Sequence, residues 1–342
     1  MTTTQPSSQP AAAPSAQPSA APSTQPSSPS AAAPRYAYLG PAGTFTEAAL
    51  RQVLPAGAST LPLASVDAAL AAVRSGEAAG AVVPLENSVE GGVSATLDGL
   101  AEGSDVRVTR EILVPITFVL AARPGTVLAD VRRVASHPHG WAQCRGWVAA
   151  NLPGAAYVSA SSTAAAAEAL AGEESSDDGR EAALCAPLAA ERFGLQVLAH
   201  DVGDNAAAVT RFVLVQPPGP PPPPTGADKT SLVVYQLDDH PGALLGLLEE
   251  FATRGINLTR IESRPTGEEL GRYCFSIDCE GHLSQPRVAE ALMGLHRGSR
   301  QVRFLGSYPR ADAQPNGVPV ETSDEAYAAA SLWLAALRAG RA

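Results

Sequence analysis

From Arg35 to Val215, short apolar runs alternate with segments whose apolar positions recur every three to four residues. Tyr36-Ala37-Tyr38-Leu39 predicts a strand, and Thr44 to Leu54 a helix. Ser65 to Arg74 predicts a helix capped by Ser65, with a buried strand after it at Gly80-Ala81-Val82-Val83. Glu111 to Ala122 is long, apolar and interrupted by Pro115, as expected where a chain passes from one sheet to another. A second alternating set follows: Val134-Ala135, a helix after Pro138, Ala156-Tyr157-Val158, a helix from Thr163, Ala183-Leu184-Cys185 and Gln196-Val197-Leu198. Phe212 to Val215 then closes the unit. Such alternation predicts an α/β fold of mostly parallel sheets covered by helices.

Pro217 to Pro224, broken only by Gly219, predicts a semi-rigid spacer and a domain boundary. The pattern changes beyond it. Thr230 to Leu237 reads as a strand, and Ala243 to Arg254 as a helix with Leu244, Leu247, Leu248 and Phe251 on one face. Asn257 to Ser263 and Tyr273 to Cys279 read as a hairpin around Thr266-Gly267, Arg287 to Leu295 as a helix, and Gln301 to Ser307 as a last strand. That order is βαββαβ, the ferredoxin-like split unit. A tail helix with a Thr322–Glu325 capping box is expected after it. The boundaries are thus a tail over 1–34, a first folded unit over 35–216, a linker over 217–228, a second unit over 229–309 and a C-terminal tail over 310–342.

Composition adds exclusions. Met1 to Ala33 holds only Pro, Ser, Ala, Gln and Thr after the initiator, which predicts a disordered segment without the charged start and leucine-rich stretch of a secretion signal. Its deletion is expected to leave activity and melting temperature intact; a large drop in melting temperature would show that it packs on the folded part. No apolar run reaches the roughly 20 residues that span a bilayer. The net charge of −10 comes with no basic run, so neither nucleic acid nor an anionic membrane is expected as a partner. Cys144, Cys185, Cys274 and Cys279 form no CxxC pair, so reduced cytoplasmic thiols and no structural zinc are expected.

Five segments carry candidate chemistry. Thr210-Arg211-Phe212 opens a strand and offers a hydroxyl and a guanidinium at the mouth of a crevice. Glu86 and Asn87 end a buried strand, with Glu90 and the pair Gly91-Gly92 just after. Gly40-Pro41-Ala42-Gly43-Thr44 joins a strand to a helix, either as an anion-binding turn or as a simple cap. Ser136-His137-Pro138-His139, with Gln143 inside the following helix, suits a general base or a cap. Ser161-Ser162-Thr163 suits a carboxylate cradle or, again, a cap.

Together, Gly40 to Phe45, Pro84 to Gly91, Ser136-His137-Pro138 with Gln143-Cys144, Ser162-Thr163-Ala164 and Thr210-Arg211-Phe212 resemble the prephenate dehydratase family in order and spacing. Asp239-His240-Pro241-Gly242-Ala243-Leu244 with Glu262-Ser263-Arg264-Pro265 resembles that family's ACT regulatory domain. Gly140-Trp141 and the long proline linker depart from the usual pattern. The resemblance implies a two-lobed catalytic domain like periplasmic binding proteins plus the ferredoxin-like ACT unit. It implies cofactor-free conversion of prephenate to phenylpyruvate, water and carbon dioxide, in a cytoplasmic homodimer or homotetramer inhibited by L-phenylalanine. By this resemblance Thr210 hydrogen-bonds the leaving hydroxyl, and Arg211 holds the pyruvyl carboxylate. Glu86, Asn87 and Gln143 orient the substrate, and Thr44, Ser88, Thr163 and Phe212 complete its site. Gly242, Ala243 and Leu244 of one protomer, with Glu262, Ser263, Arg264 and Pro265 of another, form the phenylalanine pocket. Two rival readings share these features: an arogenate dehydratase, and a non-catalytic amino-acid sensor.

Overall fold

In the computed structural model, residues 1–2, 33–103, 105–172, 181–238, 240–267 and 272–341 are described. Most of the N-terminal tail, the acidic segment after Gly172 (whose composition predicts a solvated loop) and Asp239 lie outside these residues.

The first lobe builds on β1 (Arg35–Leu39), α1 (Phe45–Arg51), β2 (Ser59–Leu63), α2 (Val66–Arg74), β3 (Gly80–Asn87), β4 (Gly91–Gly92), α3 (Ser94–Ala101) and β5 (Arg107–Pro115). Ser65 caps α2 through the Ala68 amide, and the helix buries Val66, Ala69, Leu70 and Val73 at helical spacing. β3 is buried over Gly80 to Val83: β1 and a returning strand pair along its two edges, Ala81 and Val83 pack on one face with α2, and Val82 packs on the other with α1.

Pro115 ends β5, and the chain crosses to a second lobe. This lobe comprises β6 (Val119–Ala122), β7 (Arg133–Ser136), α4 (Pro138–Asn151), β8 (Ala156–Ser159), α5 (Thr163–Ala171), β9 (Ala182–Cys185), α6 (Pro187–Arg192) and β10 (Gln196–Ala199). Its sheet has the order β10-β6-β9-β7-β8, with apolar clusters on both faces. The chain then crosses back as β11 (Val209–Gln216), which inserts antiparallel between β3 and β5. The first sheet is therefore β2-β1-β3-β11-β5, with β4 attached to β3. Two crossings between two α/β sheets make the expected two-lobed unit.

The second unit contains β12 (Asp228–Gln236), α7 (Ala243–Ala252), β13 (Leu258–Pro265), β14 (Tyr273–Glu280), α8 (Pro286–Gly298) and β15 (Ser299–Pro309). It is the expected βαββαβ unit, with strand order β13-β14-β12-β15. One face of this sheet packs on α7 and α8 through Leu232, Val234, Ile277, Leu247, Phe251 and Leu295. The other face joins the core of the first lobe, where Val233, Cys274, Leu305 and Tyr308 meet Val213 and Val215. Gly306 lets β15 approach β5, since a Cβ there would run into the Val108 carbonyl.

Several expectations need revision. β2, β4, α3 and α6 are not foreseen by the apolar pattern, being short or poorly periodic. The linker lies against the second unit: the Pro222 carbonyl is 3.0 Å from His282 Nε2. The tail helix α9 (Asp324–Arg338) is capped by Ser323, whose hydroxyl accepts from the Ala326 amide, so the expected Thr322 cap is displaced by one residue.

Candidate active site

The carboxyl ends of β1 and β3, with the amino end of the antiparallel β11, face the N-terminal ends of α4 and α5 across a cleft of about 980 Å³. From the first lobe it is lined by Thr44, Phe45, Asn87, Glu90, Thr210 and Phe212, and from the second by Phe118, His137, His139, Gln143 and Thr163. Thr44, Asn87, Gln143, Thr163, Thr210 and Phe212 are thus brought together as expected.

The centre of the polar wall is one hydrogen bond. Asn87 Nδ2 donates to Thr210 Oγ1 at 2.8 Å across the paired strands β3 and β11. Asn87 cannot present its other end, because Oδ1 accepts from the amides of Val89 and Glu90 at 2.8 and 3.1 Å. Thr210 Oγ1 is therefore an acceptor towards Asn87, and its own proton is free for a group in the cleft.

The same turn carries Glu90 across to the second lobe. Its carboxylate lies 2.6 Å from His139 Nδ1 and accepts from Gln143 Nε2 at 3.2 Å. His137 accepts the His139 amide on Nδ1, so its neutral ring carries the proton on Nε2. Burial, with the neighbouring His139 ring, lowers the His137 pKa against the pull of Glu90, which favours that neutral form at neutral pH.

Glu47, with a side chain only 4% exposed, anchors the Gly40–Thr44 turn and was not foreseen. It accepts from the Gly43 amide at 2.6 Å, from Arg51 at 2.7 Å, and from Arg192 of the second lobe at 3.0 Å. Burial would push its carboxyl up, but the Gly43 amide and the two guanidiniums outweigh this and hold it below the usual range. A depressed folded pKa stabilises above the unfolded value, and that contribution is lost as pH falls. Melting temperature is thus expected to decline as pH drops below the ordinary Glu value of about 4.3, more shallowly in Glu47→Gln. Parallel declines in the two proteins would remove this role.

Three expected site residues face elsewhere. Successive strand residues point to opposite faces, so with Thr210 and Phe212 in the cleft, Arg211 must leave on the other side. Its guanidinium contacts Asp278 at 2.5 Å, Glu111 at 2.7 Å, the Tyr308 hydroxyl at 3.0 Å and Glu86 at 3.3 Å. Arg211 and Glu86 therefore do not line the cleft. Ser88 instead closes the strand pair, its Oγ accepting from the Val209 amide. No Arg or Lys among the described residues lines the cleft, so the donors available to an anion are the first turns of α4 and α5, the hydroxyls and His137.

In the second unit, Gly242 and Ala243 border a cavity of about 300 Å³, together with Gly246, Leu247, Glu250 and Gly294. Gly242 caps α7 at φ 91°, a left-handed conformation suited to glycine. Leu244 does not line this cavity but is exposed, and none of Glu262 to Pro265 reaches it within one chain. Arg264 pairs with Asp98 of α3 at 2.8 and 2.9 Å, and Glu262 lies against Gly92. Ser263 and Pro265 alternate with them on the exposed side of β13, an edge strand.

Known proteins resemble this chain along most of its length. A family model described as prephenate dehydratase matches residues 36–219, and one described as ACT domain matches residues 230–297. The prephenate dehydratase of Mycolicibacterium vanbaalenii is 49% identical over 322 residues, covering 90% of this chain and 99% of its own. A solved prephenate dehydratase from Arthrobacter aurescens, in complex with L-Phe, is 57% identical, covers 89% of this chain and 99% of its own, and superposes with a TM-score of 0.84. A structure described as a novel type of quorum quenching acylase is 35% identical, covers 80% and 97% of the two chains, and has a TM-score of 0.72.

Proposed function

The chain belongs to the prephenate dehydratase family, and from that premise we propose that its cleft converts prephenate to phenylpyruvate, water and carbon dioxide. The ring carboxylate leaves as carbon dioxide, and the electron pair of its C–C bond enters the ring. The ring C–O bond breaks at the same time, and the departing hydroxide, hydrogen-bonded to the protein, takes up one proton from the solvent to become water. Aromatisation drives both cleavages, so the protein has to position the substrate, assist the leaving hydroxyl and treat two carboxylates differently.

The observation that carries this reading is the Asn87–Thr210 hydrogen bond, which frees the Thr210 proton for the leaving oxygen. The interaction strengthens as negative charge develops there, which is where it accelerates the reaction. Phe45, Phe118 and Phe212 supply an apolar wall on which the departing carboxylate finds little stabilisation, favouring its loss. The first turns of α4 and α5, with Thr163 and His137, suit the pyruvyl carboxylate that is retained. Glu90, His139 and Gln143 tie the lobes together over the bound substrate.

The test is direct. Purified protein incubated with prephenate should release phenylpyruvate, with arogenate assayed in parallel. Faster turnover of arogenate would move the enzyme to that substrate. No turnover of either would sink the dehydratase reading and leave the acylase activity named for the 35% identical structure to be tried.

For regulation we take L-phenylalanine as the effector, bound in the cavity at Gly242 and completed in a homodimer or homotetramer by the β13 edge of a second copy. The enzyme is taken to be cytoplasmic, which fits four free, buried cysteines. Among the described residues no helix is long and apolar enough to cross a membrane. Gly242→Val should raise the inhibitory phenylalanine concentration at least about tenfold, because a β-branched residue resists φ 91° and fills the approach to the backbone. Inhibition at the unchanged concentration would place the effector elsewhere.

A further inference from the structure

We propose that Arg211 is a positioning residue through which the regulatory domain sets the placement of Thr210, with Asp278 as its contact on the regulatory side. This rests on the roles of Thr210 and phenylalanine given above.

The Arg211 side chain is 7% exposed, and its guanidinium joins the two domains. Two of its partners, Glu86 and Glu111, stand on catalytic strands β3 and β5; the other two, Asp278 and Tyr308, stand on regulatory strands β14 and β15. The Asp278 carboxylate is fully buried and held by the Ser231 hydroxyl at 2.6 Å and by Arg260 Nε at 2.9 Å. Burial opposes its charge, yet Arg211 and Arg260 hold its pKa well below the usual carboxylate range. A fixed charge in the middle of the regulatory sheet therefore grips the residue next to Thr210.

Local geometry makes Thr210 responsive to that grip. Thr210 pairs with Asn87 on the cleft face, and Arg211 with Glu86 on the other, one step along the same two strands. The register shifts between Arg211 and Phe212, where Leu85 is the additional residue of β3. Such a bulge interrupts the ladder and lets a side chain be re-aimed. A displaced Arg211 thus turns Thr210 against Asn87 without disturbing the rest of β11.

The regulatory end is equally connected. Ile277 precedes Asp278 on β14 and packs with Leu247 and Phe251 of α7, on the opposite face of that sheet. Gly242, Ala243 and Leu247 border the effector cavity. Ligand bound there bears on α7, α7 on Ile277, and β14 carries Asp278 against Arg211. Dense packing transmits such a shift, but only a coupling measurement demonstrates it.

The experiment uses the full chain with Asp278→Asn, which keeps the shape and removes the charge facing Arg211. Phenylalanine binding is measured by calorimetry, and kcat and KM for prephenate with and without saturating phenylalanine. The expected variant binds phenylalanine within about threefold of wild type while the inhibition at saturation shrinks about tenfold, within the usual range of coupling energies. Its basal change should fall on kcat more than on KM. Wild-type inhibition in a folded variant, or inhibition lost only in step with binding, would overturn the proposal. Should Asp278→Asn fail to fold, Tyr308→Phe removes one Arg211 contact without touching a charge. Reduced maximal inhibition with retained binding would then support the proposal, and unchanged inhibition would overturn it. A wild type that ignores phenylalanine or prephenate would instead overturn the functional reading, and this linkage with it.

Discussion

Replacing Thr210 by valine is expected to lower kcat about 10²–10³-fold, the loss typical of removing one preorganised hydrogen-bond donor, with KM changed less than about threefold. Valine keeps the branched shape, so packing beside Phe212 is retained. What disappears is the hydroxyl proton aimed into the cleft and the acceptor that Asn87 Nδ2 uses at 2.8 Å. The substrate loses a contact made mainly in the transition state, hence the fall in kcat at nearly constant KM. Thr210→Ser restores the hydroxyl on a looser rotor and should recover most of the rate. A folded valine variant within threefold of wild-type kcat would remove Thr210 from the chemistry.

Much of this was legible in the chain itself. Strand–helix alternation gives the α/β class, the family resemblance adds its two-lobed arrangement, and the change of pattern past the proline linker gives the βαββαβ unit. Asn87 ends one buried strand and Thr210 opens another, and both lie at the crevice. Arg211 was misplaced although the same sequence held the correction. If Thr210 enters the cleft, strand geometry turns its neighbour away, and the same parity separates Asn87 from Glu86. The resemblance put both members of each pair in the substrate site, and only one side of a strand can be there. Arg211→Lys is accordingly expected to disturb the domain junction and not substrate affinity. Glu47 and the Glu90–His139 contact escaped for another reason. Glu47 reads locally as a first-turn helix acid, and its link to Arg192 spans 145 positions. Glu90 meets a histidine 49 positions away on the other lobe. Such partnerships exist only once the lobes are assembled.

The sharpest discrimination between positioning and mere packing comes from Asn87→Asp, expected to lower kcat about 10²–10³-fold, the loss typical of removing one preorganised donor. The replacement is nearly isosteric, and the oxygen that accepts from the Val89 and Glu90 amides can stay in place. The atom facing Thr210 changes from a donor to an acceptor. Thr210 must then give its proton to the introduced carboxylate, and only a lone pair remains towards the leaving hydroxyl. A negative charge also enters a cleft that has to receive a dianion without any lining Arg or Lys among the described residues. Asn87→Ala removes the partner but leaves the Thr210 proton free to swing towards the substrate, so its loss should be only about tenfold, in proportion to the lost aim. The decisive result is therefore the order of the two variants. The aspartate enzyme should be slower than the alanine enzyme, and should partly recover as pH falls and the carboxyl is protonated. An aspartate variant as fast as the alanine one, at every pH where both are folded, would mean that Asn87 supports the turn and does not direct the Thr210 proton.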